Sequence, residues 1–129
     1  GFVEWIVHSV KDGNEITLFE DALFTPITTW HLADELEWVM GNNLSGAVHI
    51  AGNEPLSKYL FGKGICERLG LDTGLIKKGS IVEFEFKAKR SKDQTLNSSY
   101  YQRISDRVLP SAESTIATIA QHFMDFADA

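Results

Sequence analysis

Apolar side chains crowd the opening of the chain. Phe2, Val3, Trp5, Ile6, Val7 and Val10 fit a helix over residues 2–12 that Gly13 would end. This stripe is wider than one buried face requires, so cover on two sides is expected. Residues 15–20 read as a strand and 21–26 as the loop leaving it, with Pro26 holding Thr25 extended. Thr28 or Thr29 then caps a helix carrying Leu32, Leu36, Val39 and Met40 at helical spacing. Asp34 and Glu35 sit early in it as acids favoured by the helix dipole, and Gly41-Asn42-Asn43 ends it.

The apolar run from Ala47 to Ala51 predicts a buried strand, with 52–55 as a turn and Ser57 as the cap of a further helix. That helix shows Phe61, Ile65 and Leu69 at i, i+4, i+8. Gly62 and Gly64 inside it weaken it by about 1 kcal/mol each relative to Ala, which points to close packing or a local break. Residues 71–79 read as irregular or as a single turn. From Val82 the pattern alternates: Val82, Phe84, Phe86 and Ala88 on one side, Glu83, Glu85, Lys87 and Lys89 on the other. A half-exposed strand is expected, with Arg90 on its Phe side and aimed at the interior or a cleft. Residues 91–95 read as a loop. Asn97 or Ser98 caps a short helix to Arg103, and a last helix after Pro110-Ser111 carries Ile116, Ile119, Ala120, Phe123 and Ala127 on one stripe.

Helices alternating with short strands predict an α/β chain, or α+β if it stands alone, with a small sheet of three or four strands and four or five helices. At 129 residues, 43% of them apolar, one domain spanning 1–129 is expected. The net charge of −6, without a long Lys/Arg cluster, disfavours a nucleic-acid partner. No apolar run reaches the roughly 18 residues of a membrane span. The lone cysteine, Cys66, falls on the apolar side of its helix and reads as a buried, inert thiol, which makes a reducing, cytoplasmic setting the default. The chain opens inside a helix without a Met, which suggests a portion of something larger.

Tyr59-Leu-Phe-Gly-Lys63 has the Tyr-x-x-x-Lys spacing that places a phenol and an ammonium on one helix face. Its chemistry needs a nicotinamide, hence a Gly-rich strand-to-helix turn, and no such fingerprint occurs. Packing explains Tyr59 and a solvated surface explains Lys63. Gly62-Lys63-Gly64 lacks the Ser or Thr of a phosphate loop. His8, His31, His49 and His122 lie on four separate predicted elements without ligand spacing, so a metal site is not expected. Arg90 alone presents a fork that could meet a phosphate.

Read in order, several short motifs resemble one family. They are Phe2-Val-Glu-Trp-Ile6, Leu18-Phe-Glu-Asp-Ala-Leu-Phe-Thr-Pro26, Leu32-Ala33, Ser45-Gly-Ala-Val-His-Ile-Ala-Gly52, Leu56-Ser-Lys-Tyr59, Arg68-Leu-Gly-Leu-Asp72, and Ala88-Lys-Arg90 with Thr95-Leu-Asn97. Together they are similar to the C-terminal, substrate-binding portion of dTDP-4-dehydrorhamnose reductases, among the extended short-chain dehydrogenase/reductases. The resemblance implies an N-terminal Rossmann domain, absent from this chain, that carries the NAD(P)H site and the catalytic pair. It also implies a nucleotide-sugar substrate, with Thr25 and Pro26 matching a turn facing the substrate cleft and Arg90 helping to bind the nucleotide diphosphate. Ser91 stands where the family usually has Pro.

On that reading the chain binds no cofactor and catalyses nothing alone. It is expected to self-associate through apolar surface on helix 2–12 and around Val48. Two other readings stay open. One is part of a non-catalytic homologue resembling the methionine adenosyltransferase beta subunit; the other is a free-standing interaction domain.

Overall fold

The computed structural model describes residues 1–126. Five helices appear where capping and periodicity place them. Helix α1 spans Phe2–Lys11 and ends at Gly13, whose φ of +81° is a conformation L side chains rarely adopt. Helix α2 spans Thr29–Gly41, and its N-cap is Thr28, whose hydroxyl accepts the His31 N–H at 3.1 Å. Helix α3 spans Lys58–Arg68, with the Ser57 hydroxyl accepting from Leu60 N at 3.1 Å. Helix α4 spans Ser99–Ser105 and α5 spans Ala112–Asp125, the latter capped by Ser111. Ala127, expected on the last stripe, lies outside the described residues.

The strands are short and form two sheets rather than one. In the first, β1 (Ile16–Phe19) runs parallel to β4 (Ile76–Gly79), with Ile16 opposite Ile76. In the second, β2 (Leu23–Phe24) lies between antiparallel β3 (Leu56–Ser57) and parallel β5 (Asp93–Gln94). The class is α/β, as expected.

Helix α3 is the axis of the core. Its Cys66 joins Ile6 and Val10 of α1, Ile16 and Leu18 of β1, and Ile76 of β4 in one buried cluster. Its Phe61 and Ile65 join Val7 of α1 and Ile116 of α5 in another. The two glycines make this approach possible. A Cβ on Gly62 would collide with Leu18 Cδ1, and one on Gly64 would lie 3.0 Å from Ile116 Cδ1. Close packing, one of the two explanations open for these glycines, is therefore the one the structure supports.

Three strand expectations are corrected. Residues 47–51 form no strand: Ala47 and His49 are exposed, and the buried Ala51 N–H donates to the Ser98 hydroxyl instead of to a ladder. Residues 82–88 form none either, despite their alternation; Val82 and Phe84 are exposed, and Phe84 and Phe86 cluster edge-on against Phe19. A strand exists only as part of a ladder, and among the described residues neither segment has one. In 71–79, read as irregular or a single turn, the turn is present as a 3-10 helix at Thr73–Leu75, but Ile76–Gly79 is a strand because β1 supplies its pairing. In α2 the outcome is inverted: Leu36 and Met40 are exposed, while Glu35, beyond the first turn, is 1% exposed.

Candidate functional site

As β2 leaves its sheet it delivers Thr25 and Pro26 into a turn held from several directions. The Thr25 hydroxyl accepts from Leu96 N at 3.2 Å, and the Pro26 carbonyl accepts from the Thr115 hydroxyl at 3.4 Å. Gly52 passes so close to the Pro26 carbonyl that a Cβ there would strike it, and Asn53 N bonds the Pro110 carbonyl at 2.9 Å. Pro26 is buried and Thr25 half-buried. Both line a groove of about 1000 Å³ between α1, residues 24–30 and α5. Its walls include Phe2, Phe24, Trp30, Phe61, His122 and Phe123, a mainly apolar lining with a few polar groups at the turn.

Arg90 is not part of that lining. It is exposed on the segment 80–92, its guanidinium 4.8 Å from the centre of the Phe86 ring, and it does not point inward as the alternating pattern suggested. Without a strand, parity assigns no face, and the ring of Phe86 becomes the surface on which the guanidinium rests. The segment's ends are nonetheless fixed. Asp21 accepts the Ser80 hydroxyl at 2.6 Å and the Ile81 N–H at 2.8 Å, and its Oδ2 lies 3.8 Å from Lys92 Nζ. These hydrogen bonds from Ser80 and Ile81 hold the Asp21 carboxyl below its ordinary pKa. The Lys92 carbonyl in turn accepts from Leu23 N at 2.7 Å, two residues before the Thr25 turn. Thus the turn follows β2 and the Arg90 segment precedes its neighbour β5, though their side chains do not meet in one pocket.

Sequence reading missed a buried polar cluster. Glu35 of α2 receives the Tyr101 hydroxyl at 2.7 Å and a two-pronged approach from Arg107, with Nε at 2.6 Å and Nη2 at 3.2 Å. His31 Nε2 lies 3.3 Å from the same carboxylate. Burial pushes the Glu35 carboxyl up, but the hydrogen bonds from Arg107 and Tyr101 and the guanidinium charge outweigh it, so its pKa is lowered. Tyr101 is pushed up to about 12 by its burial and by the carboxylate it serves. The i, i+4 spacing of His31 and Glu35 was visible in the sequence. Nothing local announced Arg107. Lys58, also unremarked, sits with Nζ 3.5 Å from the centre of the Phe24 ring, and desolvation lowers its pKa.

The remaining candidates are absorbed by packing. Tyr59 packs against the core with Lys78 over its ring, and Lys63 pairs with Glu67 at 3.6 Å. Cys66 is fully buried, which raises its pKa. Among the described residues no group of three His, Cys, Asp or Glu is arranged to hold a metal ion, and no helix is long and apolar enough to cross a membrane. A dinucleotide does not fit the residues present. Gly62 and Gly64, the two glycines separated by a single residue, lie inside α3 with Leu18, Ile6 and Ile116 filling the space a pyrophosphate would need.

Comparison with known proteins agrees with this architecture. The chain is 25% identical over 126 residues to a probable low-salt glycan biosynthesis reductase, Agl14, of Haloferax volcanii, covering 98% of this chain and 42% of that protein. Its fold is similar to that of the dTDP-4-dehydrorhamnose reductase of Bacillus anthracis, solved in complex with NADP. The TM-score is 0.85 at 20% identity, over 95% of this chain and 43% of that one. The Clostridium acetobutylicum dTDP-4-dehydrorhamnose reductase gives a TM-score of 0.83 at 22% identity, over 100% and 44% of the respective chains. The chain thus spans less than half the length of these relatives. A family model described as the RmlD substrate binding domain matches residues 1–124, and the chain belongs to that family.

Proposed function

We propose that this chain is the sugar-nucleotide-binding part of a larger NAD(P)H-dependent reductase that reduces a keto group on a nucleotide-linked sugar. The match of residues 1–124 to the RmlD substrate binding domain carries this reading. The groove bordered by Thr25 and Pro26 supports it, because it offers apolar walls for a sugar and polar atoms at one turn. Arg90, exposed on the segment 80–92, supplies the charge for the diphosphate. On this reading the hydride donor is held by an N-terminal Rossmann domain of the larger protein.

The complete protein should consume NADPH in the presence of dTDP-4-keto-6-deoxy sugar, and this chain alone should bind dTDP-sugar without consuming NADPH. No turnover by the complete protein, or NADPH consumption by the isolated chain, sinks the reading. Isolated, the chain self-associates through the side of α1 that leaves Trp5 exposed, beside the groove rather than in it. Light scattering that shows only monomer at high concentration counts against that part of the proposal.

A further inference from the structure

Asp21 hydrogen-bonds one end of the segment carrying Arg90 and lies within ion-pair distance of the other. One carboxylate oxygen accepts the Ile81 N–H at 2.8 Å, the other accepts the Ser80 hydroxyl at 2.6 Å, and Lys92 Nζ stands 3.8 Å from the latter oxygen. Ser80 follows β4 directly and Lys92 immediately precedes β5, so the carboxylate bridges the point where one sheet releases the chain and the other receives it. Between these ends residues 82–90 make no ladder, and the segment's other anchorage is the packing of Phe84 and Phe86 on Phe19. Asp21 itself is fixed by the backbone on either side of it: Glu20 N bonds the Gly79 carbonyl at 3.0 Å, and Leu23 N bonds the Lys92 carbonyl at 2.7 Å.

We infer that Asp21 is a positioning residue for Arg90: by hydrogen-bonding residues 80 and 81 beside residue 92, whose carbonyl Leu23 N holds, it sets where the guanidinium resting on Phe86 is presented to the diphosphate of a sugar nucleotide. The inference rests on the role proposed above for Arg90. Closing a loop at its base costs entropy once, in folding, so that ligand binding need not supply it. The carboxylate acts through its hydrogen bonds to Ser80 and Ile81; the 3.8 Å approach of the Lys92 ammonium is an exposed ion pair that adds little. An amide in its place keeps one acceptor for Ile81 N and gains a donor for the Ser80 hydroxyl.

The test is the affinity of the complete protein for dTDP, measured by calorimetry, with hydrogen exchange of residues 80–92 followed in parallel. Arg90→Ala should weaken dTDP binding by about tenfold, the loss of one charge-assisted contact. Asp21→Ala should weaken it by a similar factor and speed exchange at 80–92. Asp21→Asn should restore affinity to within about twofold of the parent and restore slow exchange. The double variant Asp21→Ala/Arg90→Ala should bind no worse than Arg90→Ala alone, since both act on one contact.

Unchanged affinity in Arg90→Ala overturns the diphosphate role of Arg90 and this inference with it. A loss in Arg90→Ala without one in Asp21→Ala overturns the inference alone. Additive losses in the double variant, or an Asp21→Asn protein as weak as Asp21→Ala, also overturn it. Should Asp21→Ala fail to fold, Asp21→Ser, which keeps one acceptor, replaces it, with an intermediate loss expected and an unchanged affinity contradicting the role.

Discussion

Arg107 meets Glu35 edge to edge, its Nε 2.6 Å from Oε2 and its Nη2 3.2 Å from Oε1, and thereby ties the segment after α4 to the middle of α2. Glu35 is 1% exposed, and the Tyr101 hydroxyl completes its set of donors. A carboxylate so placed is tolerated only while those donors remain. Tyr101→Phe should lower stability by about 1 kcal/mol, the usual worth of one buried hydrogen bond. Arg107→Ala, which strips the carboxylate of its charged partner, should cost more than Tyr101→Phe in the same urea titration. Equal midpoints for the two variants would show that the guanidinium contributes little.

The same cluster gives stability a direction in pH. Glu35 has a folded pKa below its ordinary value of 4.5, so its contribution is complete above that value and is lost as pH falls through the folded pKa. Asp21 and Asp93 are shifted the same way, by hydrogen bonds from Ser80 and from Thr95. Tyr101 works at the other end. Raised from 10.0 to about 12, it adds stability that is complete below 10 and lost as pH climbs towards 12. Urea midpoints should therefore fall on both flanks, with Tyr101→Phe abolishing the part of the alkaline fall due to this phenol. Glu35→Gln should flatten the acid limb; an unaltered acid limb in that variant would refute the assignment.

Two glycines should resist replacement for different reasons. Gly62→Ala gains about 1 kcal/mol in helix propensity, yet its methyl meets Leu18 and Ile6 in the buried core. Overpacking there costs about 1–3 kcal/mol, so net destabilisation in thermal melts is expected. Gly52→Ala drives a methyl into the Pro26 carbonyl, which is backbone and cannot step aside. Its effect should be felt at the turn, as weaker binding of dTDP-sugar by the complete protein, beyond any loss of stability.

Cys66 offers a probe of core integrity. Fully buried between α1, β1 and β4, with its pKa raised by desolvation, it should react with Ellman's reagent only as fast as the core opens. Rapid labelling of the native chain would contradict the packing around α3.

Caps and helical periodicity were legible without coordinates. Thr28, Ser57 and Ser111 each accept the backbone N–H three residues on, and α1 stops at Gly13 with positive φ. Such features are written within a few neighbouring residues, so reading them needs no partner. The family, too, was legible from short motifs in order between Phe2 and Asn97, and the family model matches residues 1–124. Strands were not. Residues 82–88 alternate as a strand should and form none, whereas Ile76–Gly79, with little pattern, pairs with β1. A ladder is a property of two segments, and only the folded chain says which segments meet. For the same reason the sequence could name Thr25, Pro26 and Arg90 as candidates but not arrange them. The tertiary structure put the first two on the groove wall, left Arg90 on an exposed segment, and turned Glu35 from a helix-surface acid into the centre of a buried cluster. Each outcome depends on contacts between residues far apart in the chain, and local spacing carries no record of those.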